Sequence, residues 1–367
     1  MRGFGQGRTP DVDRRARPRA VGAWLLACCV VLLMLVMVGG ATRLTESGLS
    51  IVDWKPVAGV LPPIGEAAWQ AEFARYQSSP QYTEVNRGMA LGEFKTIFWF
   101  EYVHRLLARL LGLCFALPLL WFWLRGAIPA RLRWPLLGIL ALGAAQGYMG
   151  SYMVKSGLVD VPRVSPYRLA AHLGLALLVH ALMLRLALGL IWPRTADPAG
   201  RPARRWPRGL LLTLVAITIL FGAFVAGLRA GLMYNTFPLM AGQWIPPGLG
   251  GMEPAWRNLF ENPVTAQFIH RVLALGTLAV VFGVWWRMRR AAEDAAQVRS
   301  RHALLLMALV QVGLGICTLL WSVPVWLGTL HQGGAVLLLS AVIVAGWCWT
   351  TRGARAGDAN GRPGFNA

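Results

Sequence analysis

The chain has 367 residues, 56% of them hydrophobic and only 14% charged, where a soluble domain carries about 25% charged residues. An excess of 36 Lys+Arg over 16 Asp+Glu gives a formal charge of +20, which would suit a nucleic-acid binder if the cations formed a surface patch. They sit instead in short loops between long apolar runs, where basic residues orient helices in a bilayer, so the composition excludes that class and points to a polytopic membrane protein.

Residues 1–20, rich in Arg, Gly and Pro, read as a disordered cytoplasmic tail. The apolar run 20–38 exceeds the 7–15 residues typical of a signal-peptide core and is expected to be the first span. A long outer segment, 39–99, follows, with Pro56, Pro62 and Pro63. Its Trp54, Trp69, Glu66 and Glu72 predict short amphipathic helices at the membrane surface, and a segment of this length is expected to cover a site. Seven further spans are expected at 97–124, 132–153, 167–192, 208–228, 264–286, 303–321 and 325–349. Arg125, Arg131 and Arg133, then Arg194, Arg201, Arg204, Arg205 and Arg208, then Arg287, Arg289, Arg290, Arg299 and Arg301, and finally Arg352 and Arg355 all fall in loops on one face. The positive-inside rule then places both termini in the cytoplasm and 39–99 outside. The five cysteines lie inside apolar runs without CxxC or CxxCH spacing, so no disulfide, zinc site or covalent c-type haem is expected.

The two halves match. His104 and His270 are 166 positions apart, Gln146 and Gln311 are 165 apart, and His172 and His331 are 159 apart. Gly150 and Gly315 each follow the glutamine by four residues. A near-constant offset over three helices predicts an internal duplication, four spans plus four. The expected fold is all-α: eight transmembrane helices as two tandem four-helix bundles related by a pseudo-twofold axis along the membrane normal. The expected boundaries are 21–192 and 208–350 for the two halves, with a cytoplasmic linker at 193–207 and a tail at 351–367.

His104, His172, His270 and His331 each fall five to seven residues inside an expected span that starts at the outer surface, which gives them one shared depth. Opposed imidazoles in an apolar bundle suit axial ligation of haem iron. Isolated interhelical contacts are the plainer alternative for any one histidine, but four at one depth favour haem or another metal. Zinc is disfavoured, since it takes three or four protein ligands in one place. His180 lies about 80° round the helix from His172; it is read as structural or as near a haem edge. His302, among inner-side arginines, is read as interfacial.

Arg105 and Arg271 follow two of the histidines directly. Two readings are open: pairing with haem propionates, or contacts to neighbouring helices and backbone carbonyls. Arg43 and Arg229, at the outer ends of the first and fifth spans, are interface arginines or propionate contacts from above. Glu101 lies one turn above His104, where the second half has Gln267. A carboxylate can take up a proton or stabilise a developing cation and an amide can do neither, so the first half is the one equipped for chemistry. The alternative for Glu101 is an acid favoured by a helix N-terminus.

Several motifs are distinctive together: Gly39-Gly40-Ala41-Thr42-Arg43-Leu44-Thr45-Glu46-Ser47-Gly48-Leu49-Ser50, Glu101-x-x-His104-Arg105, Gly227-Leu228-Arg229-Ala230-Gly231-x-x-Tyr234-Asn235-Thr236-Phe237-Pro238, Gln267-x-x-His270-Arg271 and Thr329-Leu330-His331-Gln332. They resemble the haem A synthase family, in the mitochondrial and proteobacterial branch that lacks an outer cysteine pair. The resemblance implies oxidation of the C8 methyl of haem O to a formyl group, giving haem A for cytochrome oxidase. It implies a haem b cofactor on His270 and His331, substrate haem on His104 and His172, and Glu101 as essential for the oxidation. It also implies an inner (cytoplasmic) membrane location, membrane lipids around the protein, and haem O synthase and an electron-transfer protein as candidate partners, with a homo-oligomer left open. A non-catalytic di-haem b electron carrier or quinol oxidoreductase, or a haem transporter, is the alternative. A prenyltransferase is disfavoured because no Asp-rich motif pair for magnesium diphosphate is present.

Overall fold

The computed structural model describes residues 15–53, 58–157, 164–193, 195–196, 202–289 and 294–352. The expected tails over 1–14 and 353–367, Trp54 and Pro56 of the outer segment, the linker positions 194 and 197–201 and the loop positions 290–293 lie outside these residues.

The described chain is helical, apart from one two-residue antiparallel pairing. In order, the helices are α1 (Pro18–Leu44), the short surface helices α2 (Glu66–Gln77) and α3 (Pro80–Glu84), α4 (Leu91–Leu124), α5 (Arg133–Gly157), α6 (Pro166–Ile191), α7 (Pro202–Gly227), the one-turn α8 (Asn258–Glu261), α9 (Pro263–Met288), α10 (Ala295–Leu320) and α11 (Val325–Thr350). The strands β1 (Thr195–Ala196) and β2 (Thr351–Arg352) join the ends of the two halves. Local chemistry sets several starts. Proline occupies the first turn of α1, α6 and α9, where its missing N–H costs nothing. Asn262 accepts from Val264 N and Thr265 N to cap α9, and Asp294 with Gln297 forms a reciprocal capping box on α10.

Seven helices are long and apolar enough to cross a membrane: α1, α4, α6, residues 207–227 of α7, α9, α10 and α11. The remaining expected span, 132–153, forms the 25-residue helix α5, whose Gln146, Tyr148, Ser151, Tyr152 and Lys155 make it more polar. On α4, Leu110, Leu113, Leu117, Leu120 and Leu124 are exposed at alternating three- and four-residue spacing. Such a stripe has no place in water and suits lipid chains. The protein is therefore a multi-pass membrane protein.

α1 touches α4 and α6, and α5 touches α4 and α6. In the second half, α7 touches α9 and α11, and α10 touches the same two. Between the halves, α1 meets α11, α6 meets α7, and α6 meets α11. One continuous core of leucine, valine and isoleucine from the long helices, with Phe115, Phe122 and Trp349, fills the middle.

α4 starts at Leu91, six residues before the expected span, and α10 starts at Ala295 rather than 303. The 34 residues of α4 measure about 51 Å, against an apolar bilayer thickness of about 30 Å. The surplus is a platform for the outer segment. Phe73 and Tyr76 of α2 bury against Phe94, Ile97, Phe98 and Tyr102 of α4, Trp69 meets Phe98 edge-on at 4.9 Å, and Tyr102 Oη donates to Val60 O at 2.5 Å. The expected surface helices therefore pack on protein, with Phe73 and Tyr76 against α4. Tyr76 is fully buried; its hydroxyl donates to Gln81 Oε1 at 3.2 Å and accepts from Asn86 Nδ2 at 2.7 Å. Burial pushes the phenol above its ordinary pKa, so it stays a neutral donor. Tyr76→Phe leaves the buried Gln81 and the half-buried Asn86 without their partner, and we expect a loss of about 1–3 kcal/mol, read as faster proteolysis across residues 58–90 with the long helices still protected.

Candidate functional site

The four histidines meet in two pairs. His270 on α9 and His331 on α11 face each other with ring centroids 6.4 Å apart and planes at 86°. His270 Nδ1 lies 3.0 Å from Thr218 O, to which it donates, leaving Nε2 with its lone pair; Gln311 Nε2 lies 3.2 Å from His331 Nδ1 and donates to His331 O at 2.9 Å. His104 on α4 and His172 on α6 take the equivalent places in the first half. Their Nδ1 atoms are buried.

Each imidazole lies against a bare glycine on a neighbouring helix. A Cβ at Gly39, Gly150, Gly222 or Gly315 would stand 2.8, 3.2, 3.0 or 2.9 Å from Cε1 of His104, His172, His270 or His331 respectively, closer than packed carbon atoms tolerate. The glutamines do a parallel job. Gln146 Nε2 donates to His172 O at 3.0 Å, and Gln311 Nε2 donates to His331 O at 2.9 Å. On α5 and on α10 the glutamine and glycine are four residues apart and share a face, so one helix face offers an amide to the histidine backbone and a gap to its ring.

Whether these pairs fit an iron follows from bond lengths. An imidazole nitrogen lies about 1.1 Å from its ring centre and binds a first-row metal at about 2 Å, so two imidazoles gripping one ion from opposite sides have centroids about 6.3 Å apart. The 6.4 Å separation of His270 and His331 agrees with that, in an apolar bundle interior that suits a porphyrin.

Glu101 is 2% exposed, and both its oxygens are engaged. Oε1 accepts from Arg105 Nη2 at 2.6 Å and Nε at 3.0 Å; Oε2 accepts from Ser50 Oγ at 2.7 Å and Ile51 N at 2.9 Å. Gln267, equally buried, donates through Nε2 to Tyr234 O at 3.2 Å. The two arginines play matching parts. Arg105 Nη2 and Nη1 donate to Ile51 O at 2.9 Å and Asp53 O at 3.4 Å, while Arg271 Nη2 and Nη1 donate to Tyr234 O at 2.7 Å and Thr236 O at 2.8 Å. These guanidiniums meet the backbone carbonyls of 51, 53, 234 and 236 and, in the first half, a carboxylate.

Arg43 and Arg229 lie where the halves meet. Arg43 Nη2 donates to Ala226 O at 3.0 Å, and Arg229 Nη2 pairs with Glu46 Oε1 at 2.6 Å. Glu46 and Arg229 are equivalent residues, both left-handed with φ of 56° and 54°. His180 is 4% exposed and bonds Ser340 Oγ through Nε2 at 2.8 Å, between α6 and α11. His302 is exposed at the start of α10, 6.0 Å from the Trp285 ring.

The family COX15-CtaA, described as "Cytochrome oxidase assembly protein", matches residues 22–343. The "Heme A synthase" of Nitrosospira multiformis is 50% identical over 332 residues, covering 89% of this chain and 92% of that protein. Those of Sinorhizobium fredii and Rhizobium meliloti are 48% and 49% identical over 334 residues, each covering 91% of both chains. The motifs that carried the resemblance lie within the matched span, and the chain belongs to the COX15-CtaA family of cytochrome oxidase assembly proteins.

Proposed function

We propose that this chain is a membrane oxidoreductase that converts haem O to haem A, oxidising the C8 methyl to a formyl group, with its chemistry in the first half. The observation that carries the reading is the His270–His331 pair at an iron-spanning 6.4 Å, with His104 and His172 at the equivalent positions of the half that holds the buried carboxylate Glu101. Relatives named "Heme A synthase" at 48–50% identity favour this over a di-haem carrier or a transporter, which would not need an acid at one site only.

In this reading the helices form two four-helix bundles, α1, α4, α5, α6 and α7, α9, α10, α11. They are related by a pseudo-twofold axis along the membrane normal, with halves at 21–192 and 208–350. The neighbour pattern supports it: the α1–α11 and α6–α7 contacts exchange under such an axis, and α6–α11 maps onto itself. Both termini and the linker 193–207 are cytoplasmic, the outer segments face the other side of the inner membrane, and haem O is handed on within the bilayer, with haem O synthase and an electron-transfer protein as partners.

His270 and His331 would hold a haem b cofactor, and His104 and His172 the substrate haem. The cofactor, when bound, supplies a one-electron redox centre. The chain's own groups do the rest. Thr218 O and Gln311 fix the cofactor imidazoles, Gly222 and Gly315 let the rings stand upright, and Glu101 places a negative charge one turn above His104. Removing electrons from a methyl group conjugated to a porphyrin leaves positive charge on it. A fixed carboxylate in a water-poor site stabilises that charge far better than water does. The Arg105 clasp holds the acid in place and covers it with the outer segment.

Gly315→Val tests the cradle. The added carbons would drive into the His331 ring, and haem retention is expected to weaken on the order of tenfold, the lower end for groups that orient metal ligands. Haem absorbance per protein during dilution checks it, with helical circular dichroism unchanged.

A further inference from the structure

The duplication makes each half a control for the other, and the ends of α1 and α7 with the residues that follow them align with a fixed offset of 183: Gly39 with Gly222, Glu46 with Arg229, Ile51 with Tyr234 and Asp53 with Thr236. Under that register Gly48-Leu49-Ser50 matches Gly231-Leu232-Met233. The arginine clasps on the carbonyls of 51 and 53, and of 234 and 236, show that the register holds in space. Two positions equivalent in this register change together. Where the first half has Glu101, it also has Ser50; where the second has Gln267, it has Met233.

The serine is placed for the acid. Ser50 is 2% exposed, whereas Met233 is 49% exposed. The Ser50 hydroxyl has one proton and two acceptors within reach, Glu101 Oε2 at 2.7 Å and Ile97 O at 3.3 Å. The shorter, charge-assisted bond takes it. Of the four donors on Glu101, Arg105 Nε and Nη2 belong to the same helix, and Ile51 N is a backbone group. Ser50 Oγ is the side chain that ties Oε2 to the outer segment. Its own turn does not need the hydroxyl, since Ser50 N donates to Ser47 O.

We infer that Ser50 is a positioning residue for the oxidation: its hydroxyl holds the Glu101 carboxylate in the orientation the reaction uses, and Ser50 with Glu101 forms the unit that distinguishes the reactive half. This rests on the proposed role of Glu101. The test uses the full-length protein carrying its cofactor haem, with haem O as substrate. Ser50→Ala is expected to lower kcat about 10- to 100-fold, the range for losing one hydrogen bond to a buried charge, with KM for haem O and the cofactor absorbance unchanged. Ser50→Thr, which keeps the hydroxyl, should recover most of the rate. Ser50→Ala added to Glu101→Gln should cause no further loss, because the serine acts through the acid. A wild-type kcat in Ser50→Ala beside an inactive Glu101→Gln overturns the inference and leaves the role of Glu101 standing. Full activity in Glu101→Gln overturns the Glu101 role itself. Loss of the cofactor absorbance in Ser50→Ala, or no recovery in Ser50→Thr, makes the serine structural and also overturns the inference.

Discussion

Replacing His270 with alanine should leave a purified protein without its resident haem, seen as a missing b-type absorbance at normal protein yield. The pair is a two-point grip, with His270 and His331 centroids 6.4 Å apart. Removing one imidazole leaves a single protein ligand and an apolar gap. The ring at 270 is held by Thr218 O and stands against Gly222. His331→Ala should behave in the same way. His104→Ala should keep the cofactor absorbance while losing conversion of haem O, because its gap lies in the other half. A cofactor spectrum that survives His270→Ala and disappears in His104→Ala would reverse the assignment of the halves.

Glu101→Gln should keep the cofactor absorbance and lose conversion of haem O by at least about 100-fold, the size of effect seen when one preorganised electrostatic group is removed. The substitution keeps shape and deletes charge. The second half shows that the fold accepts an amide there, since Gln267 occupies the equivalent place and bonds Tyr234 O. The cost falls on Arg105, which loses the counter-charge now 2.6 Å away. Some loss of stability is therefore expected, of a few kcal/mol at most, and activity must be referred to folded, haem-loaded protein. Mass analysis of extracted haem, with haem O persisting and haem A absent, is the readout.

Much of this was legible from the sequence because it is periodic. Apolar runs announce spans, and the repeat of His104 and His172 in His270 and His331 needs only counting. The start of α4 was missed because its first two turns, with Glu93 and Lys95, are not apolar enough to read as membrane. Their partners are Phe73 and Tyr76, which a local pattern cannot reveal. Arg105 and Arg271 were open between propionates and carbonyls because the carbonyls that they clasp lie more than thirty residues away in sequence. Gln146 and Gln311 were visible as markers of the repeat but not as donors to His172 O and His331 O; the signal was their four-residue spacing from Gly150 and Gly315. Ser50 left only a faint trace, a serine in one half matched by Met233 in the other, which has meaning once the offset of 183, from Gly39 to Asp53, is separated from that of 166 for the histidines of α4 and α9. The shift between the offsets reflects the longer first outer segment, with α2 and α3.

The most direct measurement is low-temperature electron paramagnetic resonance of the oxidised, purified protein together with its His270→Ala and His331→Ala forms. Two imidazoles gripping one iron with planes near perpendicular should give a strongly anisotropic low-spin ferric signal that either substitution abolishes. A high-spin signal in the unsubstituted protein, or a low-spin signal indifferent to both substitutions, would contradict the account.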